Sequence, residues 1–153
     1  MLIRKMTKAD IEQTVQIEAA CFSLPWSAQS FSDSICREDT LFLVCEMPET
    51  DGSGKIAGYI GMYQSFDEGS ITNVAVFPEY RKQGIGNLLV QNMKEQARSA
   101  SVETIFLEVR VSNIPAISLY EKMGFEKLGI RKNFYEHPTE DAYIMSCKLK
   151  DIN

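Results

Sequence analysis

A short segment between a predicted strand and a predicted helix constrains this chain more than any other part of its sequence. The segment consists of Arg81, Lys82, Gln83, Gly84, Ile85 and Gly86, and apolar residues at helical spacing follow it. Glycines let a backbone approach a ligand closely, and the first helical turn offers unpaired N–H groups beside the positive end of the helix dipole. With two basic side chains at its start, the segment predicts a binding site for an anion such as a pyrophosphate.

The alternative is a tight turn between strand and helix whose basic residues are simply solvated. The pattern G-x-G alone favours that interpretation. A dinucleotide-binding loop fits poorly, because Leu89 stands where the third glycine would be. The segment also lacks the Gly-Lys-Ser/Thr ending of a P-loop.

The bulk composition is that of an ordinary globular chain. Its 153 residues are 44% apolar, and no stretch approaches the ~20 apolar residues of a membrane span. The first residues lack the apolar run of a signal peptide. We therefore expect a single domain over residues 1–149 with a short tail at 150–153, located in the cytoplasm and not bound to a membrane.

The charged and metal-binding residue types exclude other classes of protein. A net charge of -5 disfavours a nucleic-acid binder, so we expect no direct contact with nucleic acid. The four cysteines form no CxxC pair and the chain has one histidine, so we expect no metal site. Isolated cysteines of this kind are most often core residues.

Periodicity predicts the element order β-α-α-β-β-β-α-β-α-β-β, a mixed α/β domain built on a largely antiparallel sheet. Strands are expected at 2–6, 41–47, 56–64, 70–77, 105–110, 125–130 and 143–149, with a long polar turn at 48–54. Thr7, Ser27 and Asn113 are expected to cap helices. The first helix should bury the apolar positions Ile11, Val15, Ala19 and Phe22.

Two further residues are candidates for chemistry. Glu108 stands between apolar neighbours in a predicted core strand, where a carboxylate needs a partner, so a structural salt bridge is as good an interpretation as a functional one. Tyr120 lies on the inner face of an amphipathic helix, and its position alone favours a core aromatic.

Longer motifs in the sequence favour a functional role for both Glu108 and Tyr120. R-x-x-G-x-G between a strand and a helix resembles the coenzyme A pyrophosphate loop of the GNAT superfamily of N-acetyltransferases. The segment L-E-V-R-x-S-N-x-x-A-x-x-L-Y-x-x-x-G-F, from Leu107 to Phe125, is similar to the RimI-type ribosomal-protein alanine N-acetyltransferases within it. The resemblance is also found in Pro25-Trp26-Ser27 and in the segments 130–135 and 140–145. The sequence departs from the family at Phe134, where the family often has a tyrosine. The resemblance runs from residue 1 to about residue 149.

The resemblance implies a GNAT fold and a cofactor site for acetyl-CoA. The sheet of about seven strands should be splayed between its fourth and fifth strands, with four helices and a bulge in the fourth strand. A backbone N–H near Val76 would polarise the acetyl carbonyl, and Asn113 would contact the pantetheine arm besides capping its helix. The implied cofactor-binding residues are Val74, Ala75, Val76, Arg81, Lys82, Gln83, Gly84, Ile85, Gly86, Asn87, Asn113 and Tyr120.

The resemblance also implies the reaction and its catalytic pair. Glu108 would be the general base and Tyr120 the general acid in a direct transfer of acetyl to the N-terminal alanine of a small-subunit ribosomal protein. Trp26 and Tyr135 are candidate contacts for the acceptor peptide, although Trp26 fits a core position equally well. We expect a monomer or a weak homo-oligomer. A small-molecule amine or a lysine as acceptor, and a non-catalytic acyl-CoA-binding module, stay open as alternatives.

Overall fold

The computed structural model describes residues 1–48 and 54–149, and its elements follow the predicted order. The strands are β1 (Leu2–Lys5), β2 (Thr40–Pro48), β3 (Gly54–Ser65), β4 (Glu68–Val76), β5 (Thr104–Arg110), β6 (Glu126–Tyr135) and β7 (Glu140–Lys148). The helices are α1 (Ile11–Cys21), α2 (Ala28–Ile35), α3 (Ile85–Ser99) and α4 (Ile114–Lys122). Most of the predicted polar turn, residues 49–53, and the predicted tail lie outside the described residues.

The seven strands form one sheet in the order β1-β2-β3-β4-β5-β7-β6. Every neighbouring pair is antiparallel except β4 and β5. These two strands pair only from Glu68 with Thr104 to Ser70 with Phe106, although both continue beyond that point. Thr72 is an additional residue in β4 opposite the step from Gly61 to Met62, which is a β-bulge. The predicted splay between the fourth and fifth strands is therefore confirmed.

The helix ends follow from local hydrogen bonds that the sequence predicts. Asp10 accepts the Thr7 N–H at 2.8 Å ahead of α1, and the Ser27 hydroxyl accepts the Ser30 N–H at 3.1 Å at the start of α2. The Asn113 side chain accepts the Ala116 N–H at 3.3 Å at the start of α4. None of the helices in residues 1–48 and 54–149 is both long and apolar enough to cross a membrane.

The two faces of the sheet carry separate apolar clusters. Ile17, Phe31 and Tyr59 belong to the cluster that contains residues of α1 and α2. Leu89 and Tyr120 belong to the cluster that contains residues of α3 and α4.

The predicted inner face of α1 is partly wrong. Ala19 and Phe22 are exposed, and the buried positions of the helix are Ile11, Thr14, Ile17 and Glu18. The physical reason is that Glu18 is not solvated: its carboxylate accepts two hydrogen bonds, which are described below, so a charged residue takes a place that periodicity reserves for an apolar one.

β6 also extends further than predicted, to Tyr135 instead of residue 130. Its pairing with β7 is interrupted between Arg131 and Tyr135 and then resumes at the Tyr135–Glu140 pair. Asn133 lies in this interruption with φ +55°, and its N–H donates to the Asp141 carboxylate at 2.9 Å. A backbone irregularity of this kind hides a strand from periodicity.

Candidate active site

The segment from Arg81 to Gly86 forms the connection between β4 and α3. Lys82 and Gly84 both adopt positive φ, +64° and +80°, and Gly84 directly precedes the first residue of α3. Positive-φ positions in a tight turn direct successive N–H groups to one side, where they can hold an anion. A Cβ placed on Gly84 would meet no atom within 4 Å, so the turn is open at this point.

Two residues of this segment have structural contacts of their own. The Ile85 side chain is 2% exposed and packs in the core, which leaves only its backbone for a ligand. A Cβ on Gly86 would lie 3.1 Å from Leu119 Cδ2, so this glycine also allows α3 and α4 to approach each other. Lys82, Gln83 and Asn87 are exposed beside the turn.

Arg81 lies against the end of β4. Its Nε donates to the Val76 carbonyl at 3.2 Å, and its Nη2 is 3.3 Å from Cys21 Sγ. The Cys21 thiol in turn lies 3.4 Å from the same carbonyl. In this arrangement Arg81 joins the end of α1 to the end of β4, and its predicted contact with a pyrophosphate stays a prediction.

The free edge of β4 faces the opening in the sheet. Phe77 donates its N–H to the Ala57 carbonyl at 2.8 Å, which places residue 77 in a hydrogen-bonded pair with β3. Hydrogen-bonded and non-hydrogen-bonded pairs alternate along an antiparallel ladder. The N–H and C=O groups of Val74 and Val76 therefore point away from β3, towards the side where β5 no longer pairs with β4. The side chains of Val74 and Val76 pack on the core under α3, whereas Ala75 packs on the opposite cluster.

Glu108 lies on β5 beyond the last pair that this strand forms with β4. Its neighbours Leu107 and Val109 are buried, while Glu108 itself is half-buried on the other face, as the alternation predicts. One carboxylate oxygen is 4.0 Å from Arg131 Nη2, and the Glu108 side chain keeps 32% of its surface exposed. The carboxylate is therefore partly accessible, on a part of β5 that no longer pairs with β4.

Tyr120 lies on α4, in the apolar cluster that also contains residues of α3. It is 8% exposed, and its ring centroid lies 5.8 Å from that of Phe125. Burial, followed by the nearby Tyr135, raises the pKa of the Tyr120 phenol well above its usual value. Tyr120 therefore keeps its proton at neutral pH.

Tyr135 ends β6 and completes the group. Burial, followed by the negative charge of Glu108, raises the pKa of its phenol to about 12, while the cationic Arg110 opposes that shift. The guanidinium carbon of Arg110 lies 4.4 Å from the centroid of the Tyr135 ring. Tyr135 therefore lies close enough to both Tyr120 and Glu108 for electrostatic interactions to shift a pKa: Tyr135 affects the phenol of Tyr120, and Glu108 affects the phenol of Tyr135.

Trp26 lies on the connection between α1 and α2. Its ring centroid is 5.2 Å from that of Phe31 and 6.2 Å from that of Phe42, and the residue is half-buried. These contacts agree with the core interpretation that the sequence left open. Contact with an acceptor stays a prediction.

A buried polar cluster beneath this connection escaped the sequence analysis. The Glu18 carboxylate accepts the Trp26 N–H at 3.1 Å and the Tyr59 hydroxyl, with the Asn73 amide beside both side chains. Burial raises the pKa of Glu18, and the hydrogen bonds that it accepts oppose the shift. The one sequence signal for this cluster is a glutamate at an inward position of an amphipathic helix.

The divided sheet, with α3 beginning after a positive-φ turn at the end of β4, matches the fold of the GNAT acyltransferases. The family model described as "Acetyltransferase (GNAT) family" matches residues 11–125, so the chain belongs to this family. A Bacillus subtilis (strain 168) protein is 40% identical over 150 residues, which cover 97% of this chain and 96% of that protein. Its name provisionally assigns it as a ribosomal protein bS18-alanine N-acetyltransferase.

Solved structures share the fold over nearly the whole chain. The crystal structure of the ribosomal-protein-S18-alanine N-acetyltransferase from Escherichia coli has a TM-score of 0.86 and 31% identity, covering 99% of this chain and 96% of that one. Arabidopsis thaliana NAA60 in complex with acetyl-CoA has a TM-score of 0.85 at 20% identity, covering 97% and 98%. The second comparison supports the fold alone.

Proposed function

We propose that this chain transfers the acetyl group of acetyl-CoA to the N-terminal α-amine of a protein, namely the N-terminal alanine of a small-subunit ribosomal protein. The observation that carries the proposal is the opening between β4 and β5, with the start of α3 after β4 and with Glu108 beyond the last pair that the two strands form. The names of the Bacillus subtilis and Escherichia coli relatives support this acceptor.

Acetyl-CoA is the donor that the site suits. Its pyrophosphate would bind at the positive-φ turn formed by residues 82–84, where Lys82 adds charge. The amides of its pantetheine arm would pair with the backbone of Val74 and with the N–H of Val76, which point into the opening, whereas the Val76 carbonyl already accepts Arg81. The family uses acetyl-CoA, and a related fold binds it in the NAA60 complex.

The acceptor must be a neutral amine, and this favours an N-terminus over a lysine. An N-terminal amine is roughly one-tenth neutral at pH 7, whereas a lysine is neutral in only about one molecule in 2,500. After attack on the thioester carbonyl, the nitrogen must lose a proton, which Glu108 would accept directly or through a water. The departing thiolate would take a proton from Tyr120, whose burial keeps the phenol protonated.

Two matched peptides test the acceptor. Both begin with alanine and contain one lysine, but the first has a free N-terminus and an acetylated lysine, while the second has a blocked N-terminus and a free lysine. We expect the purified chain with acetyl-CoA to acetylate the first peptide only, as tandem mass spectrometry would show. Acetylation of the second peptide alone, or of neither, would remove the proposed acceptor.

Two matched variants test the base. Glu108→Gln should lower kcat by about 10²–10⁴ while acetyl-CoA affinity stays near that of the wild type, because general-base catalysis contributes that much. Glu103→Gln is the control, since Glu103 is exposed just before β5 and lies away from the opening. Equal rates for wild type and Glu108→Gln would take Glu108 out of the mechanism.

A further inference from the structure

Arg110 connects β5 to the hairpin formed by β6 and β7. It lies two residues after Glu108 on the same face of β5, and its side chain is 25% exposed. Its Nη1 donates to the Pro138 carbonyl at 2.9 Å, and its Nη2 donates to the Glu136 carbonyl at 3.0 Å. A single guanidinium therefore holds two backbone groups of the four-residue connection between β6 and β7.

A carboxylate and an aromatic ring complete the contacts of Arg110. Its Nη1 also donates to Glu140 Oε1 at 3.2 Å, while Glu140 Oε2 accepts the Ser112 N–H at 2.7 Å. The guanidinium lies over the Tyr135 ring, 4.4 Å from its centroid. Arg110 thus contacts the ring of Tyr135 and also hydrogen-bonds to the backbone of the residues that follow it.

We propose that Arg110 is a positioning residue that acts on the acceptor through Tyr135. By holding the ring and the chain after it, the guanidinium fixes the position of the Tyr135 phenol relative to β5, the strand that carries the proposed base Glu108. The inference rests on the proposed function, because it gives Tyr135 its contact with the acceptor.

Arg110 and the proposed base Glu108 form ion pairs with different residues, so the positioning role of Arg110 can be distinguished from a direct effect on Glu108. The ion pair of Glu108 is with Arg131, at 4.0 Å, whereas that of Arg110 is with Glu140. A change at Arg110 therefore leaves the cation nearest to Glu108 in place. Lysine keeps the charge of arginine, but it has no planar fork that can stack on a ring and reach two carbonyls and a carboxylate together.

A double-mutant cycle tests the inference with Arg110→Lys, Tyr135→Phe and the double variant. We expect Arg110→Lys to raise the KM of the alanine peptide about tenfold, with kcat and the KM of acetyl-CoA changed less than about threefold. In the Tyr135→Phe background, Arg110→Lys should add less than about twofold, because the hydroxyl through which it acts is gone. Thermal unfolding confirms that each variant folds.

Arg37→Lys is the matched control. Arg37 also pairs with a carboxylate, that of Asp39 at 2.7 Å, and lies 5.6 Å from the centroid of an aromatic ring, that of Tyr63. It lies before β2, away from the opening, so its exchange should leave the peptide KM unchanged. An equal rise in KM for Arg37→Lys, or full additivity in the cycle, would overturn the proposal.

An NMR measurement tests the positioning without any acceptor. With ¹³C-labelled tyrosine, the ring signals of Tyr135 are those that disappear in Tyr135→Phe. We expect them to shift in Arg110→Lys and to stay in place in Arg37→Lys. Unchanged Tyr135 signals in Arg110→Lys would overturn the inference whatever the acceptor is. If the wild type acetylates no peptide, the proposed function fails, and these signals alone decide whether Arg110 positions Tyr135.

Discussion

Gly84→Ala tests the turn at the start of α3. Gly84 has φ +80°, a conformation that costs an L-residue about 1–2 kcal/mol. Part of this cost is offset because alanine lowers the conformational entropy of the unfolded chain, which stabilises the folded state by about 0.4–1 kcal/mol. A Cβ at this position meets no atom within 4 Å, so no steric clash adds to the balance. The free energy of unfolding should therefore fall by about 1 kcal/mol.

The same variant should bind acetyl-CoA more weakly. If the turn relaxes from positive φ, its N–H groups no longer point together towards the pyrophosphate, and a loss of about 1.4 kcal/mol would weaken binding tenfold. Urea unfolding followed by the fluorescence of the single tryptophan gives the stability, and calorimetric titration gives the affinity.

Gly129→Ala is the matched control for both measurements. A Cβ on Gly129 also meets nothing within 4 Å, but this glycine lies on the exposed strand β6 without a positive φ. If Gly84→Ala matched Gly129→Ala in both stability and acetyl-CoA affinity, the anion-binding role of the turn would be refuted.

Three other substitutions follow from the packing and electrostatics. Gly58→Ala should cost about 1–3 kcal/mol in denaturant unfolding, because its Cβ would lie 2.8 Å from the Ala75 carbonyl oxygen; a wild-type midpoint would contradict this. Asp10 is buried, but hydrogen bonds from Arg4 and from the N–H of residue 7 outweigh that burial and lower its pKa. The carboxylate therefore stabilises the fold above its unfolded pKa, and Asp10→Asn should cost about 1–3 kcal/mol at pH 7. That difference should narrow below about pH 4, whereas a constant difference from pH 3 to 7 would exclude the linkage. Tyr120→Phe should lower kcat by about 10²–10⁴ with little change in the melting temperature, and an unchanged kcat would remove Tyr120 as the acid.

Much of the fold was predictable because its signals are local. Ser27 and Asn113 cap the helices that they were expected to cap, and Gly84 precedes α3 in the left-handed conformation that only its lack of a side chain makes easy. The divided sheet was implied by the resemblance rather than by periodicity. Strand pairing depends on contacts between distant residues, which a hydrophobic pattern does not report.

What the sequence missed depends on partners that are far apart along the chain. Glu18 is buried because Tyr59, 41 residues away, and the backbone of Trp26 satisfy its carboxylate. The pattern around Arg110 predicts no partner for it, yet its guanidinium donates to carbonyl groups more than 25 residues away on the β6–β7 connection. In both cases the pattern around the residue gives no sign of the group that it binds.

The most direct test of the central claim is a comparison of protein N-termini in cells. Mass spectrometry would compare cells that carry this chain, cells from which it is deleted, and deleted cells that express either wild type or Glu108→Gln. We predict that one small-subunit ribosomal protein with an N-terminal alanine loses its acetyl group on deletion and regains it only with the wild type. Identical N-terminal acetylation of the ribosomal proteins in all four samples would contradict the account.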